Sequence, residues 1–485
     1  MLENRSFDNL LGNLYPNGLP PDPPCGKTFA GVTGLGLSNP GPDGGAVMVS
    51  TTTDHRVPYP DPGEEFDHIT RQIYDIDPSS PPKVLPQAKM QGFVADYVEV
   101  LEATFDDDDR SKATDPAVYG QIMQGFEPQQ VPALTTLATE FGVFDHWFAS
   151  VPSQTWPNRA FWHAATSWGW VNNPSLSELP RWFADTAGTS LFNLLDDWVI
   201  YSDLTPAFTR LIHWEALKRF QGSNHFRWME FDLFGDSFFT DCEKGRLPKY
   251  SFLEPHFVDL EGWHNDMHPS SYHSILYHET PLGSVLLGDE LVARVYEAIR
   301  TSSSVQGNNW SNTLLIITFD EHGGCYDHKP PPTGVASSPP REPTAPDVFG
   351  FNRLGVRVPT VMVSAHIARN TVVNTQMEHC SFLRTMQDKW SLPSLGHRQD
   401  GAAPFTEVFT SPSLRDRSGW PNLSRFTAAE LDTSADLSAL PLNDLQLSYF
   451  RGVATLDPAR PPIPQTVGEG ADMLRSLRLE DFTEM

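Results

Sequence analysis

The sequence predicts an α/β sandwich with a largely parallel sheet. Three observations predict it. Ser311-Asn312-Thr313-Leu314-Leu315-Ile316-Ile317-Thr318-Phe319 carries a continuous apolar run that leads into the polar Asp320-Glu321-His322-Gly323-Gly324, the pattern of a strand buried on both faces with a loop at its carboxyl end. Ahead of it, Leu286 to Arg300 shows helical spacing of Leu287, Leu291, Val292, Val295 and Ile299. Beyond it, Val358 to Ser364 reads as a second buried strand. Helix, strand and loop in repetition place chemistry at strand ends.

In chain order, Pro132 to Phe141 has the composition of a helix and feeds the strand-like Gly142 to Phe148. The 286–300 helix and the strands at 311–319 and 358–364 follow. After about residue 410 the strand-like runs thin out: Leu431 to Tyr449 reads as helical and Ala454 to Pro464 as an extended arm. The division expected is a main α/β domain over 1–410 and a mostly helical or irregular appendage over 411–485. Proline, 43 residues or about 9% against a usual 5%, clusters at 16–24, 58–62, 330–346 and 458–464 and predicts long ordered loops. No repeat of fixed period is present.

Composition excludes several classes. The 485 residues hold 61 acidic against 34 basic side chains, a formal charge of -27. Such a surface repels a polyanionic duplex, and the longest charge run, Asp106 to Asp109, is acidic, so nucleic-acid binding is not expected. Hydrophobic side chains make up 39%, about 46% with glycine included, enough for a sizeable core. No stretch reaches the roughly 18 to 20 apolar residues of a membrane span. Met1-Leu2-Glu3-Asn4-Arg5 lacks the basic and apolar regions of an export signal. Cys25, Cys242, Cys325 and Cys380 are scattered with no paired spacing and read as isolated core thiols.

Certain residues have chemistry open to them. Asp320 and Glu321 set two carboxylates on a turn, where hard oxygen ligands suit Mg, Ca or Mn, or where they merely cap a strand. Glu3 and Asn4 offer a charged and a neutral oxygen, or are solvated chain-end groups. Thr155 stands in a segment stiffened by Pro152 and Pro157, rigid presentation being what a nucleophile needs. Arg159 can clamp phosphate oxygens through its fork or pair with a carboxylate. His268 titrates near neutral pH and is a candidate general acid, or an ordinary loop histidine.

Taken together, these segments resemble the phosphoesterase family that contains non-specific phospholipases C and an acid phosphatase branch. The matching stretches are Glu3-Asn4-Arg5-Ser6-Phe7-Asp8, Gly92-Phe93-Val94-Ala95-Asp96-Tyr97, Asp145-His146-Trp147-Phe148-Ala149-Ser150-Val151-Pro152, Thr155-Trp156-Pro157-Asn158-Arg159, Phe319 to His328 and Leu354-Gly355-Val356-Arg357-Val358-Pro359. The resemblance implies an alkaline-phosphatase-like α/β/α core. It implies Glu3, Asn4, Asp320 and Glu321 around a divalent cation, with Ca, Mg or Mn favoured. Thr155 would be the nucleophile, His268 the proton donor, and His322 and His328 would orient phosphate or support a neighbouring ligand.

The activity implied is phospholipase C cleavage of glycerophospholipids through a phosphothreonine, with transient contact at a membrane surface. Phosphatase action on soluble phosphomonoesters and a non-catalytic phosphate- or lipid-binding role are the alternatives. Two features depart from the family pattern. Only Met1-Leu2 precede Glu3 where relatives have a hydrophobic strand, so a truncated start is expected and secretion stays open. Where many relatives carry His after Asp-Pro, this chain reads Asp61-Pro62-Gly63-Glu64, which suggests metal binding or support of a neighbour by Glu64, with His68 nearby.

Overall fold

Short β-branched runs become strands and amphipathic stretches become the helices that cover them. The computed structural model describes the chain apart from residues 21–26, 81, 83, 106–108, 204–205, 221–222, 231–234, 259–263, 272–283, 339–348, 427–436 and 477–485. Of the elements that frame the site, the helices α1, Phe7–Leu11; α2, Phe66–Tyr74; α3, Phe93–Thr104; and α4, Pro132–Glu140 precede the larger sheet. Strand β1, Gly142–Phe144, is followed by α5, Thr155–Ala164, then β2, Trp198–Tyr201, and α6, Phe208–Ile212. After β3, Phe226–Arg227, and β4, Tyr250–Leu253, come α7, Val285–Thr301, β5, Leu315–Thr318, and β6, Thr360–Val363. Strand β7, Thr371–Val373, α8, His379–Trp390, and α9, Asp444–Leu456, complete the frame.

Helices stand at Pro132–Glu140 and Val285–Thr301, where composition and apolar spacing respectively place them. In α7 the side chains of Leu291, Val292, Val295 and Ile299 are buried, and the Ser284 hydroxyl accepts from the Leu286 N–H to start the helix. The strand expected at 311–319 is shorter. Asn309 accepts from the backbone and hydroxyl of Ser311, and its carbonyl accepts from the Thr313 hydroxyl, which turns the chain before Leu315.

This strand is also not buried on both faces along its length. Leu315 and Ile316 stay half-buried because β5 is the edge of its sheet. Gly142 to Phe148 divides in two: Asp145 and His146 turn the chain, and Trp147–Phe148 pairs instead with Met377–Glu378.

The four-stranded sheet has the order β5-β6-β1-β7, with β6 antiparallel to both neighbours and β1 parallel to β7. A three-stranded sheet, β3-β2-β4, is parallel throughout. The fold is therefore mixed α/β with parallel segments, and the larger sheet is not largely parallel. The cause is the connection at 319–359. A parallel return needs a crossover, commonly helical, and none is present there among the described residues. Between the two sheets, β4 and β5 face each other across a cleft of about 1020 Å³ that also holds Met1 and Leu2.

Of the helix expected at 431–449, residues 431–436 lie outside the described residues. The rest begins at Asp444, after Pro441, where Asn443 and Gln446 form a capping box. It continues through Leu456 into the stretch expected to be extended. Its apolar face is core, not surface: Leu445, Tyr449, Phe450 and Val453 pack in one cluster with Trp156, Phe208 and Leu211. A second cluster gathers α1, α4, α7 and α8 around the four-stranded sheet. Cys242, Cys325 and Cys380 are buried free thiols, and Cys25 lies outside the described residues. No described helix is long and apolar enough to cross a membrane.

Candidate active site

Backbone pairing delivers the first acidic groups. The Leu2 N–H donates to the Thr318 carbonyl at 2.9 Å and the Leu2 carbonyl accepts from the Asp320 N–H at 3.3 Å, a parallel bridge beside the end of β5. Glu3 and Asn4 thereby emerge next to Asp320 and Glu321. Asn4 has φ +56°, a left-handed conformation that Asn tolerates better than most residues. Its N–H donates to Asp320 Oδ1 at 3.2 Å.

The turn after β5 must come close to do this. Gly323 has φ +61°, and a Cβ there would lie 2.1 Å from the Asn4 carbonyl oxygen. Its N–H donates to Glu321 Oε2 at 2.7 Å. Glycine is therefore required by both conformation and space.

Thr155 opens α5, so its hydroxyl sits at the positive end of a ten-residue helix. The loop before it is tied down by Asn158. Its Nδ2 donates to the carbonyls of Val151, Ser153 and Gln154, and its Oδ1 accepts from the Val151 N–H. Pro157 costs no helical hydrogen bond in the first turn, where N–H groups lack intrahelical partners. Thr155 Oγ1 donates to Glu3 Oε2 at 3.3 Å. Arg159, one turn on, donates from Nη2 to Glu3 Oε1 and at 3.3 Å to the Met1 carbonyl. Its Nε and Nη1 have no protein partner. Arg159 thus holds Glu3 while keeping donors free.

His268 is buried against the other side of Asn4. The Asp266 carboxylate accepts its backbone N–H at 2.8 Å, and its Nδ1 contacts the Pro269 carbonyl at 2.7 Å. Nε2 then faces Asn4 Nδ2 at 3.0 Å and Asp444 Oδ1 at 3.1 Å, with Glu64 Oε1 at 3.8 Å. Asp61 Oδ2 lies 3.8 Å from Nδ1. The structure thus gathers Glu3, Asn4, Thr155, Arg159, His268, Asp320 and Glu321, and adds Glu64. Asp61, Asp266 and Asp444 were not singled out in the sequence. Asp61 was within reach of the Asp-Pro-Gly-Glu motif. Asp444 carries no local signal beyond its place after a helix cap.

Of three further histidines, His322 reaches the centre only through Glu321, and His328 and His68 turn elsewhere. His322 is buried with Nε2 at 2.8 Å from Gln72 Oε1 and Nδ1 at 3.3 Å from Glu321 Oε2, and burial pushes it down to about 3. It is a neutral brace for Glu321. His328 pairs with Asp8 at 2.6 Å, in a network where Arg357 donates to Asp8 and Asp327. His68 pairs with Asp96 at 2.9 Å.

Negative charge is in excess at the centre. Burial pushes Glu3 well above the usual carboxylate range, Asp320 adding to it and Arg159 opposing. Burial does the same to Glu321, with Asp320 beside it. Burial also raises Glu64, helped by Asp444 and Asp61, and pushes Asp61 up to about 8. Burial works against charge on His268, but Asp61, Asp444 and Asp266 outweigh it and hold its pKa well above the ordinary value.

Asn4 Oδ1, Asp320 Oδ2 and Glu321 Oε1 are buried with no donor. Three orphaned hard oxygens among crowded carboxylates are a donor set for a divalent cation.

The large cleft between β4 and β5 contains none of Thr155, His268, Asp320 or Glu321. Charge and orphaned atoms mark the site, and cavity volume does not.

Comparison with known proteins gives three kinds of finding. A model of the Phosphoesterase family matches residues 1–393. Non-specific phospholipase C6 of Arabidopsis thaliana is 34% identical over 468 residues, covering 93% of this chain and 78% of that protein. Phospholipase C A of Mycobacterium tuberculosis is 25% identical over 382 residues, covering 72% and 67%. Among solved structures, a phosphonate monoester hydrolase of Agrobacterium radiobacter overlaps 63% of this chain and 79% of its own at 13% identity, with a TM-score of 0.27. That score carries no argument about the fold.

Proposed function

The chain belongs to the phosphoesterase family, and from that premise we propose that it cleaves glycerophospholipids in the phospholipase C manner, Thr155 being the nucleophile on an alkaline-phosphatase-like core. It is a phosphoric ester hydrolase, similar over most of its length to non-specific phospholipases C. The observation that carries the finer reading is the meeting of Glu3 and Asn4 with Asp320 and Glu321 beside the Thr155 hydroxyl.

Glu3, Asn4, Asp320 and Glu321 would hold the divalent cation, with Mg, Ca or Mn suited to their oxygens. Such an ion, when bound, lowers the pKa of a nearby hydroxyl and offsets charge on phosphoryl oxygens. The residues do the rest. Glu3 Oε2 accepts the Thr155 proton as Oγ1 bonds to phosphorus and the bond from phosphorus to the glycerol oxygen breaks. Arg159, with Nε and Nη1 free, meets the phosphoryl oxygens. His268 serves the departing alkoxide, whose charge must be met by a proton or by a cation. Water then displaces Thr155 Oγ1, which recovers its proton from Glu3, while the proton the water releases replaces the one the glycerol oxygen takes up; the products are diacylglycerol and a phosphorylated headgroup.

Incubation of the purified protein with phosphatidylcholine and Mn²⁺ is the test, with Thr155→Ala in parallel. Diacylglycerol release should fall by about 10³-fold or more in the variant, as expected when an activated nucleophile is lost. Equal turnover by both proteins would refute the nucleophile. Turnover of a soluble phosphomonoester alone would assign the phosphatase reading.

A further inference from the structure

Asp61, Glu64, His268 and Asp444 each place one donor atom within 4.8 Å of the others. A cluster of acids is not in itself a site, and what distinguishes this one is how its atoms are committed. Glu64, 2% exposed, accepts from Asn4 Nδ2 on Oε1 and leaves Oε2 with no donor. Asp444 takes Gln154 Nε2 on Oδ2 at 3.3 Å and turns Oδ1 to His268 Nε2 at 3.1 Å. Asp61 Oδ1, like Glu64 Oε2, meets no donor. His268 commits Nδ1 to the Pro269 carbonyl at 2.7 Å, which fixes the ring and turns Nε2 inward, as a carbonyl does behind a metal-bound imidazole. Glu64 and Asp61 thus each keep an oxygen unspent, and His268 Nε2 and Asp444 Oδ1 face each other inside the cluster.

We infer that Asp61, Glu64, His268 and Asp444 bind a second divalent cation, of the Mn²⁺ or Zn²⁺ class, next to the one assigned to Glu3, Asn4, Asp320 and Glu321. Three carboxylates and one imidazole favour these ions over Ca²⁺, which takes oxygen ligands. Asn4 stands between the two groups: its N–H donates to Asp320, its Nδ2 to Glu64, and its Oδ1 is free.

The inference rests on the functional reading above and deepens it: an ion held by these residues would supply positive charge where the glycerol oxygen departs. The other histidine-carboxylate group, Asp8, Asp327 and His328, does not qualify. The Arg357 guanidinium already neutralises it, donating to Asp8 at 2.8 Å and Asp327 at 2.9 Å.

The test is the number of Mn²⁺ ions retained per chain by chelator-treated protein after titration and gel filtration, read by elemental analysis and calorimetry. The full chain should take about two and Asp444→Asn and Glu64→Gln about one each, two-metal centres being filled by separate ligand sets. Circular dichroism confirms folding, and Asp444, 41% exposed in its side chain, tolerates the change. Two ions in both variants, or one in the unmodified chain, would overturn the inference. If the unmodified chain takes one ion, its loss in Asp320→Asn leaves the first site standing, whereas its persistence overturns that site as well.

Discussion

His213 touches none of the reacting groups, yet it sets how the protein meets acid. It is buried beside His163, Phe192 and Trp168, and burial pushes it down to about 3 from 6.5. An unfolded chain binds a proton there below pH 6.5 and the folded one does not until about pH 3. Its contribution to stability is therefore complete above pH 6.5 and is lost progressively as pH falls toward 3, at about 1.4 kcal/mol per pH unit. His213→Phe should flatten denaturant-derived stability between pH 6 and 4 by about that slope. An unchanged slope would show that His213 is already protonated in the fold. Glu64 shows what is legible at this scale. It stands out in the sequence as a carboxylate in place of a histidine, and Asp61 is its neighbour in the same motif, but Asn4 and Asp444 come from two distant stretches.

Among elements, α5 matters most, because its first residue must be held still. Pro152, Pro157 and Thr155 announce a rigid segment in the sequence. That the rigidity comes from one amide side chain does not show there. Asn158 makes four buried hydrogen bonds to the 151–154 loop. At about 1 kcal/mol each, Asn158→Ala should cost about 2–4 kcal/mol in urea unfolding. It should also lower kcat on phosphatidylcholine at least about tenfold while Mn²⁺ binding persists, as expected when a nucleophile is misplaced and its ligands are not. Full activity would remove Asn158 from the positioning of Thr155. The helix at 286–300 was legible because its apolar spacing is continuous over four turns. Helix α9 was displaced because Pro441 and the cap at Asn443 override the weaker hydrophobic pattern before them.

For the molecule as a whole, the charge of -27 governs its approach to a lipid surface. Neutral phosphatidylcholine vesicles should be hydrolysed faster than vesicles mixed with acidic lipid at low salt. The gap should close as salt rises past about 0.15 M, where screening acts within about 8 Å. Faster turnover on acidic vesicles at low salt would point to a local basic docking face. The sequence by itself determined the residue types for phosphoester chemistry, the existence of a strand ahead of Asp320 and Glu321, and the central helices, since each is written in neighbouring residues. Only the tertiary structure decided that β6 runs antiparallel, that His328 serves Arg357 and Asp8 instead of the centre, and that Asp444 reaches His268. Those outcomes depend on packing between stretches hundreds of residues apart, and local periodicity carries no record of which distant side chains will meet.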